Sequence, residues 1–393
     1  MIIRSPGRLM AAASAALALV LAACSGTSNA SPSGAASTGT VAGASAGSSA
    51  SAASAAAADF IQPASATITL QGAGATFPKP LYDVWFQTYT EKYPNVQFNY
   101  QAIGSGGGIT QITQQTVDFG ASDAPMQDAE LAKLPAGTKL LHIPTALGAV
   151  VVIFNVPGLT ELKLDGDTVG KIFLGKISKW NDAAIAALNS GTTLPDQAIL
   201  AVHRSDGSGT TNAFTTYLNT ASADWKASGI GAGKDVKWPV GQGADKNDGV
   251  AAGVKNTPGA VGYVELQYAT QAKLTSAKLK NADGNFVAGS TAGVTAAAKA
   301  AVATFPADLR QGPIINWPGP DTYPIASYTY LLVYQDQKNK DKGTDLVSLI
   351  GWTLTQGQAM EEALGFAPLP TEVQQKALAA SHSITFGGAP IWP

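Results

Sequence analysis

The sequence predicts an α/β protein. Short apolar runs ending in glycine turns alternate along it with stretches whose apolar residues recur at helical spacing, the pattern of α/β layers. Apolar residues make up 45% of the 393 and charged residues only 13%, which suits a soluble globular chain long enough for two lobes with cores of their own. Beyond the N-terminal segment no apolar run approaches the ~20 residues that cross a membrane. The formal charge of −2 argues against nucleic acid as a partner, which needs a concentrated basic face.

Residues 1–23 read as a processing segment. Arg4 and Arg8 precede the apolar stretch LMAAASAALALVLAA, and LAAC ends it at Cys24, the only cysteine. A lone cysteine in this setting resembles the bacterial lipoprotein box, so Cys24 is the expected lipidated first residue of the mature chain. No disulfide can form within the chain. Removing residues 1–23 takes away two positive charges and leaves 23 basic against 27 acidic residues, a charge of −4. Residues 24–65 begin with an uncharged run of Ser, Ala, Gly and Thr that cannot bury enough surface to order itself. It reads as a tether, spanning about 30 Å as a flexible coil.

The body then repeats one scheme. ATITLQGAGATF is a strand and glycine turn, followed by PLYDVWFQTYTEKY, with Leu81, Val84, Trp85 and Tyr89 on one helical face. VQFNYQAIGSGGGITQITQQ gives strand, turn and helix again, and ILAVHRSDGSGTTNAFTTYL a third time. GAVVVIFNV (148–156), GAVGYVEL (259–266) and SYTYLLVY are further strands, and GTDLVSLIGWTLTQGQAM is a late helix.

Three turns share one chemistry. GAGATFP offers Thr76 and the backbone of Thr76 and Phe77 at a helix start, and GSGGG offers Ser105 and glycines that permit close backbone approach. HRSDGSGT carries Arg204, Asp206, Ser208, Gly209 and Thr210 at a strand-to-helix junction, where exposed N–H groups and the helix dipole favour an anion. VDFGASDAP holds Asp118 and Asp123 in what reads as a loop. Each turn alone is an ordinary helix cap; converging, they would surround a small anion.

Enzymatic readings are weaker. SDGSGT lacks the GxSxG of a nucleophile elbow, and no GxxxxGK[ST] is present. Asp118 and Asp123 would serve as an acid–base pair only if something fixed their separation. His142 reads as a capping or surface residue, His203 as part of a strand edge, and His382 as part of a C-terminal helix. The three have no metal-ligand spacing, and no metal or cofactor is expected.

GAGATFP, IGSGGGI, VDFGASDAP, LGKISKWND, HRSDGSGT, PGAVGYVE and ALGFAPLP occur in an order and spacing that resemble the phosphate-binding protein of the phosphate-specific ABC transporter, from about residue 66 to the C-terminus. The resemblance implies a type II-like periplasmic-binding-protein fold of two α/β lobes that close over one phosphate. Lobe 1 would comprise 66–147 plus 325–393, and lobe 2 would comprise 148–324. Carried over residue by residue, the phosphate contacts would be Thr76, Phe77, Ser105, Asp123, Arg204, Ser208, Gly209 and Thr210, with Asp206 behind Arg204. No site position departs from the family pattern. Trp180, Trp225 and Trp238 then read as packing residues of lobe 2. The implied protein is a monomeric extracytoplasmic binder, lipid-anchored or periplasmic, that delivers phosphate to membrane permease subunits and catalyses nothing. Competing readings are a sulfate or other oxyanion binder, a secreted phosphatase and a surface adhesin.

Overall fold

The computed structural model describes residues 61–393, all within one compact unit. Three strand–turn–helix repeats dominate it. Strand β1 (Ile68–Gly74) leads into helix α1 (Lys79–Lys92), where Pro80 sits in the first turn and its missing N–H costs nothing. Leu81, Tyr82, Trp85, Phe86 and Tyr89 form the buried face of α1; Val84, expected there, is only half-buried. Strand β2 (Val96–Ala102) leads into α2 (Gly104–Thr113). The glycines expected to form a turn are the first turns of α2 itself. They let the helix lie against the sheet: a Cβ on Gly108 would stand 2.5 Å from the Gly74 Cα.

The stretch read as a loop around Asp118 and Asp123 contains a strand, β3 (Phe119–Ser122), all four residues of which are buried. Strand β4 (Leu140–Phe154) is buried along all 15 residues and begins eight residues before the expected strand, because His142, Pro144 and Thr145 disguise its first part. Then follow β5 (Leu200–Arg204), α3 (Gly209–Ala221), β6 (Gln242–Ala244), α4 (Lys246–Asn256), β7 (Ala260–Glu265) and α5 (Leu266–Ala272). Strand β8 (Ile325–Tyr334), α6 (Lys340–Thr355) and α7 (Thr371–His382) complete the frame.

The eight strands run in the order β2-β1-β3-β8-β4-β7-β5-β6 through a ten-stranded sheet; the two-residue strands Thr275–Ser276 and Ile314–Ile315 pair with β4 and β8. β1 is parallel to β2 and β3, and β5 is parallel to β6 and β7. Between these half-sheets β4 and β8 run antiparallel, and β4 changes partner: residues 140–149 pair with β8 and Val150–Phe154 pair with β7. The β4–β8 ladder shifts register at Thr329/Tyr330, leaving Thr145 as the extra residue of a bulge. Bulges of this kind re-aim side chains beside functional sites. The carboxyl ends of β1, β2 and β5 lead into the three glycine-bearing segments and that of β3 into Asp123, at the side of an α/β sheet where ligands bind.

Trp85, Trp180, Trp225 and Trp352 are fully buried. Trp180 and Trp225 donate to the carbonyls of Gly259 and Gly231, and Trp238 stacks on His203 with centroids 4.9 Å apart; these tryptophans pack, as expected. His142 is not a surface residue: it is buried on β4, and its Nε2 accepts from the Met126 N–H at 3.0 Å. Burial, reinforced by the Arg310 charge, pushes its pKa down to about 4, so the ring is neutral. His382 ends α7, stacked on Trp392.

Residues 61–65 belong to the folded body, ahead of the expected boundary at residue 66. The Ile61 carbonyl accepts from Ser348 Oγ at 2.6 Å, the Ala64 N–H donates to Asp345 Oδ1 at 2.8 Å, and Asn95 Nδ2 donates to the Ala64 and Ala66 carbonyls. Residues 61–65, which sequence reasoning assigns to the tether, are therefore bonded to α6 and its surroundings. The expected signal segment, Cys24 and the rest of the tether lie outside the described residues. Among the described residues no helix is long and apolar enough to cross a membrane.

Candidate functional site

The three turns meet. The Gly106 N–H at the start of α2 donates to the Gly207 carbonyl at 2.9 Å, and the Gly209 N–H at the start of α3 donates to Ser105 Oγ at 3.1 Å. A Cβ on Gly209 would fall 2.5 Å from the Asp123 Cβ, so only glycine allows this approach. Thr76 follows β1 and is buried, its carbonyl accepting from the Tyr268 hydroxyl at 2.5 Å. The Phe77 ring is buried edge-on to Phe366 and fills the space over Gly148. Ser208 caps α3, its Oγ accepting from the Thr211 N–H at 3.0 Å. Thr76, Phe77, Ser105, Asp123, Arg204, Asp206, Ser208, Gly209 and Thr210 thus come together around the first turns of α2 and α3, whose N–H groups are the natural donors to an anion.

Asp118 does not join them. β3 puts Asp118 and Asp123 at opposite ends of a strand, and Asp118 accepts from Lys342 Nζ at 2.9 and 2.8 Å and from the Gln71 N–H at 2.8 Å. It is a structural ion pair, and the two carboxylates are not an acid–base couple. Among the described residues no three His, Cys, Asp or Glu side chains cluster as metal ligands.

Two carboxylates set the electrostatics. The Arg204 side chain, 1% exposed, grips Asp206 with Nε at 2.6 Å and Nη2 at 2.5 Å, and Asp206 Oδ1 also accepts from the Lys246 N–H at 3.0 Å. Burial opposes the charge on Asp206, but the guanidinium bonds outweigh it and hold its pKa below the ordinary value. Asp123, 2% exposed, has no such partner. Its Oδ1 accepts from the Thr329 hydroxyl at 2.9 Å, its Oδ2 accepts from Ser105 Oγ at 3.4 Å, and its carbonyl accepts from the Ser327 hydroxyl at 3.0 Å. Burial pushes its pKa up to about 7 against these bonds and the Arg204 charge.

Sequence reasoning missed several supporting residues. Asn247, fully buried at the start of α4, donates to Thr76 Oγ1 at 2.9 Å and to Thr210 Oγ1 at 3.3 Å. The Tyr263 hydroxyl accepts from the Arg204 N–H at 3.1 Å. Ser327 and Thr329 were legible: in SYTYLLVY two hydroxyl residues alternate along a strand otherwise apolar or aromatic. Asn247 lies in the polar stretch GADKND, where nothing marks it. Around the rim Lys234 pairs with Glu130 at 2.7 Å, and Arg310 pairs with Asp128 at 2.8 Å.

A family model described as "PBP superfamily domain" matches residues 30–350. The Phosphate-binding protein PstS of Pasteurella multocida is 44% identical over 311 residues, covering 78% of this chain and 88% of that protein. The chain belongs to the PstS family. PstS of Haemophilus influenzae is 40% identical over 314 residues, covering 79% of this chain and 92% of that protein. A solved phosphate-binding protein from Stenotrophomonas maltophilia superposes with a TM-score of 0.61 at 21% identity, covering 79% of this chain and 93% of that one. At that identity the likeness speaks for the fold alone: the two-lobed, type II-like periplasmic-binding-protein fold of PstS, with its cleft between the lobes.

Proposed function

We propose that this chain captures inorganic phosphate outside the cytoplasm and delivers it to an ABC importer, as a binding protein and not an enzyme. The observation that carries the reading is a buried carboxylate, Asp123, set among hydroxyl and N–H donors and beside a guanidinium already engaged by a second carboxylate. Phosphate near neutral pH keeps at least one proton, whereas sulfate keeps none. Ser105, Thr76, Ser208, Thr210, Arg204 and the N–H groups of Phe77 and Gly209 would donate to its oxygens, each bond to the charged ligand contributing about 1.5–3 kcal/mol. An ionised Asp123 can only accept, so it would take the phosphate proton and repel a bare sulfate oxygen. Asp206 would aim the guanidinium and dilute its charge.

The partner switch within β4 supports lobe boundaries of 66–147 plus 325–393 and of 148–324, with residues 61–65 added to lobe 1. Val240 and Phe386 are the only large apolar side chains exposed among the described residues, which supports the reading of a monomer. LAAC supports lipid anchoring at Cys24, with the Ser/Ala/Gly run as tether. Cys24→Ala is then expected to leave the precursor unprocessed and without an acyl chain; wild type that carries no acyl chain and fractionates as fully soluble contradicts the anchor. The function itself is tested by calorimetric titration of protein stripped of bound phosphate. Saturable binding of phosphate with far weaker binding of sulfate is expected, and equal binding of the two overturns the reading.

A further inference from the structure

The polarity of two hydroxyls is set by a side chain outside the expected contact set. The Asn247 Oδ1 lies 3.2 Å from the Glu265 N–H, which can only donate, so the oxygen of the amide faces Glu265 and its NH₂ faces the other way. That NH₂ meets Thr76 Oγ1 and Thr210 Oγ1 at 2.9 and 3.3 Å. An amide nitrogen cannot accept, so both hydroxyl oxygens must, and each hydroxyl proton has to point elsewhere. Among the described residues neither proton has another acceptor within bonding distance. All three side chains are at most 3% exposed, which leaves bulk water no part in deciding the orientation.

We propose that Asn247 is a positioning residue that holds Thr76 and Thr210 as donors toward the bound oxyanion. This rests on the phosphate reading above and deepens it. A free hydroxyl is ambivalent, donor or acceptor as its neighbours require; a hydroxyl whose lone pair is occupied by an amide N–H can only donate. Asn247 removes that ambivalence at two positions, and Asp123 is left as the acceptor. The arrangement also couples the half-sheets: Thr76 follows β1, while Thr210 belongs to α3 after β5, so the pair is oriented only when both walls stand against the same amide.

The test is a mutant cycle read by phosphate titration on stripped full-length protein. The arms are wild type, Asn247→Leu, the Thr76→Val/Thr210→Val pair and the triple variant. In wild-type background Asn247→Leu is expected to weaken phosphate binding by about tenfold or more, and by less than about threefold once both hydroxyls are gone. A purely structural role gives the same loss in both backgrounds, and that result, or no loss in the wild-type background, overturns the inference alone. Wild type that fails to bind phosphate overturns the proposed function and this inference together. Should Asn247→Leu not fold, Asn247→Ser takes its place in the same cycle, with the melting temperature of ligand-free protein recorded beside each isotherm.

Discussion

The two walls of the site each carry a carboxylate, one half-buried and one fully buried, and they hold it in opposite ways. On the β5 side Asp206 is clamped by a guanidinium through two short bonds and stays ionised below its ordinary pKa. On the β3 side Asp123 is met by hydroxyls alone, and burial lifts it to about 7. The difference separates two tasks that one carboxylate could not perform. On the proposed reading, Asp206 spends its charge on Arg204, so that the cleft would not attract every anion, while Asp123 would accept from a ligand that brings a proton.

The largest effect is expected from breaking the clamped wall. Arg204→Met removes several charged donors and leaves the half-buried Asp206 without its partner, so phosphate affinity should fall by at least about two orders of magnitude, and stability by about 1–3 kcal/mol. Titration and the denaturant midpoint read the two; unchanged stability would mean that the Arg204–Asp206 pair does not help to hold the fold. Asp206→Asn keeps the guanidinium but releases its charge. Affinity for phosphate should drop about tenfold, the phosphate-to-sulfate ratio should change by less than about threefold, and the dependence on salt should steepen. A collapse of the ratio would give Asp206 the role assigned to Asp123.

The β3 wall and its acceptor are sharpened by pH. A carboxyl raised from 3.8 to about 7 is protonated below that value and then donates. Sulfate binding by wild type should therefore strengthen as pH falls through about 7, by up to about tenfold at pH ~5, and Asp123→Asn should abolish the trend. The same shift favours the folded state at low pH: its contribution is full below the ordinary carboxyl pKa and lost as pH rises through about 7, so the variant should flatten the pH–stability curve there. The smallest effect belongs to the rim. Glu130→Gln breaks the pair with Lys234, partly buried at 14% and 24% side-chain exposure, and should weaken phosphate binding by about threefold or less.

The contrast between the walls also marks what the sequence could tell. What depends on local chain geometry is legible in the sequence: the glycine segments at Gly74, Gly104 and Gly207 and the helices after them, whereas the contact set from Thr76 to Thr210 is what the family resemblance implies. What depends on distant pairing is not legible. β3 is four buried residues with no alternation, and the first part of β4 is disguised by His142, Pro144 and Thr145, which make sense only against Met126, the bulge and Thr329. His142 was misplaced for that reason, since a neutral buried imidazole needs a backbone donor that the sequence does not announce. Asn247 escaped notice because its partners lie 171 and 37 residues away. The end of the tether was misjudged because Ile61 and Ala64 are held by Ser348 and Asp345, at the far end of the chain.

The central claim is that Asp123 distinguishes a protonated oxyanion from a bare one. The measurement that tests it most directly is the ratio of phosphate to sulfate affinity, at pH values of about 7 and 8, in wild type and in Asp123→Asn after removal of trapped phosphate. In the variant the amide can still turn its oxygen to the phosphate proton, but its NH₂ can also face a fully ionised oxygen. The ratio should fall by at least about an order of magnitude, about 1.4 kcal/mol, with phosphate affinity itself little changed. A ratio that stays the same, whatever happens to the absolute affinities, would contradict the role of Asp123 and with it the basis on which this site selects phosphate.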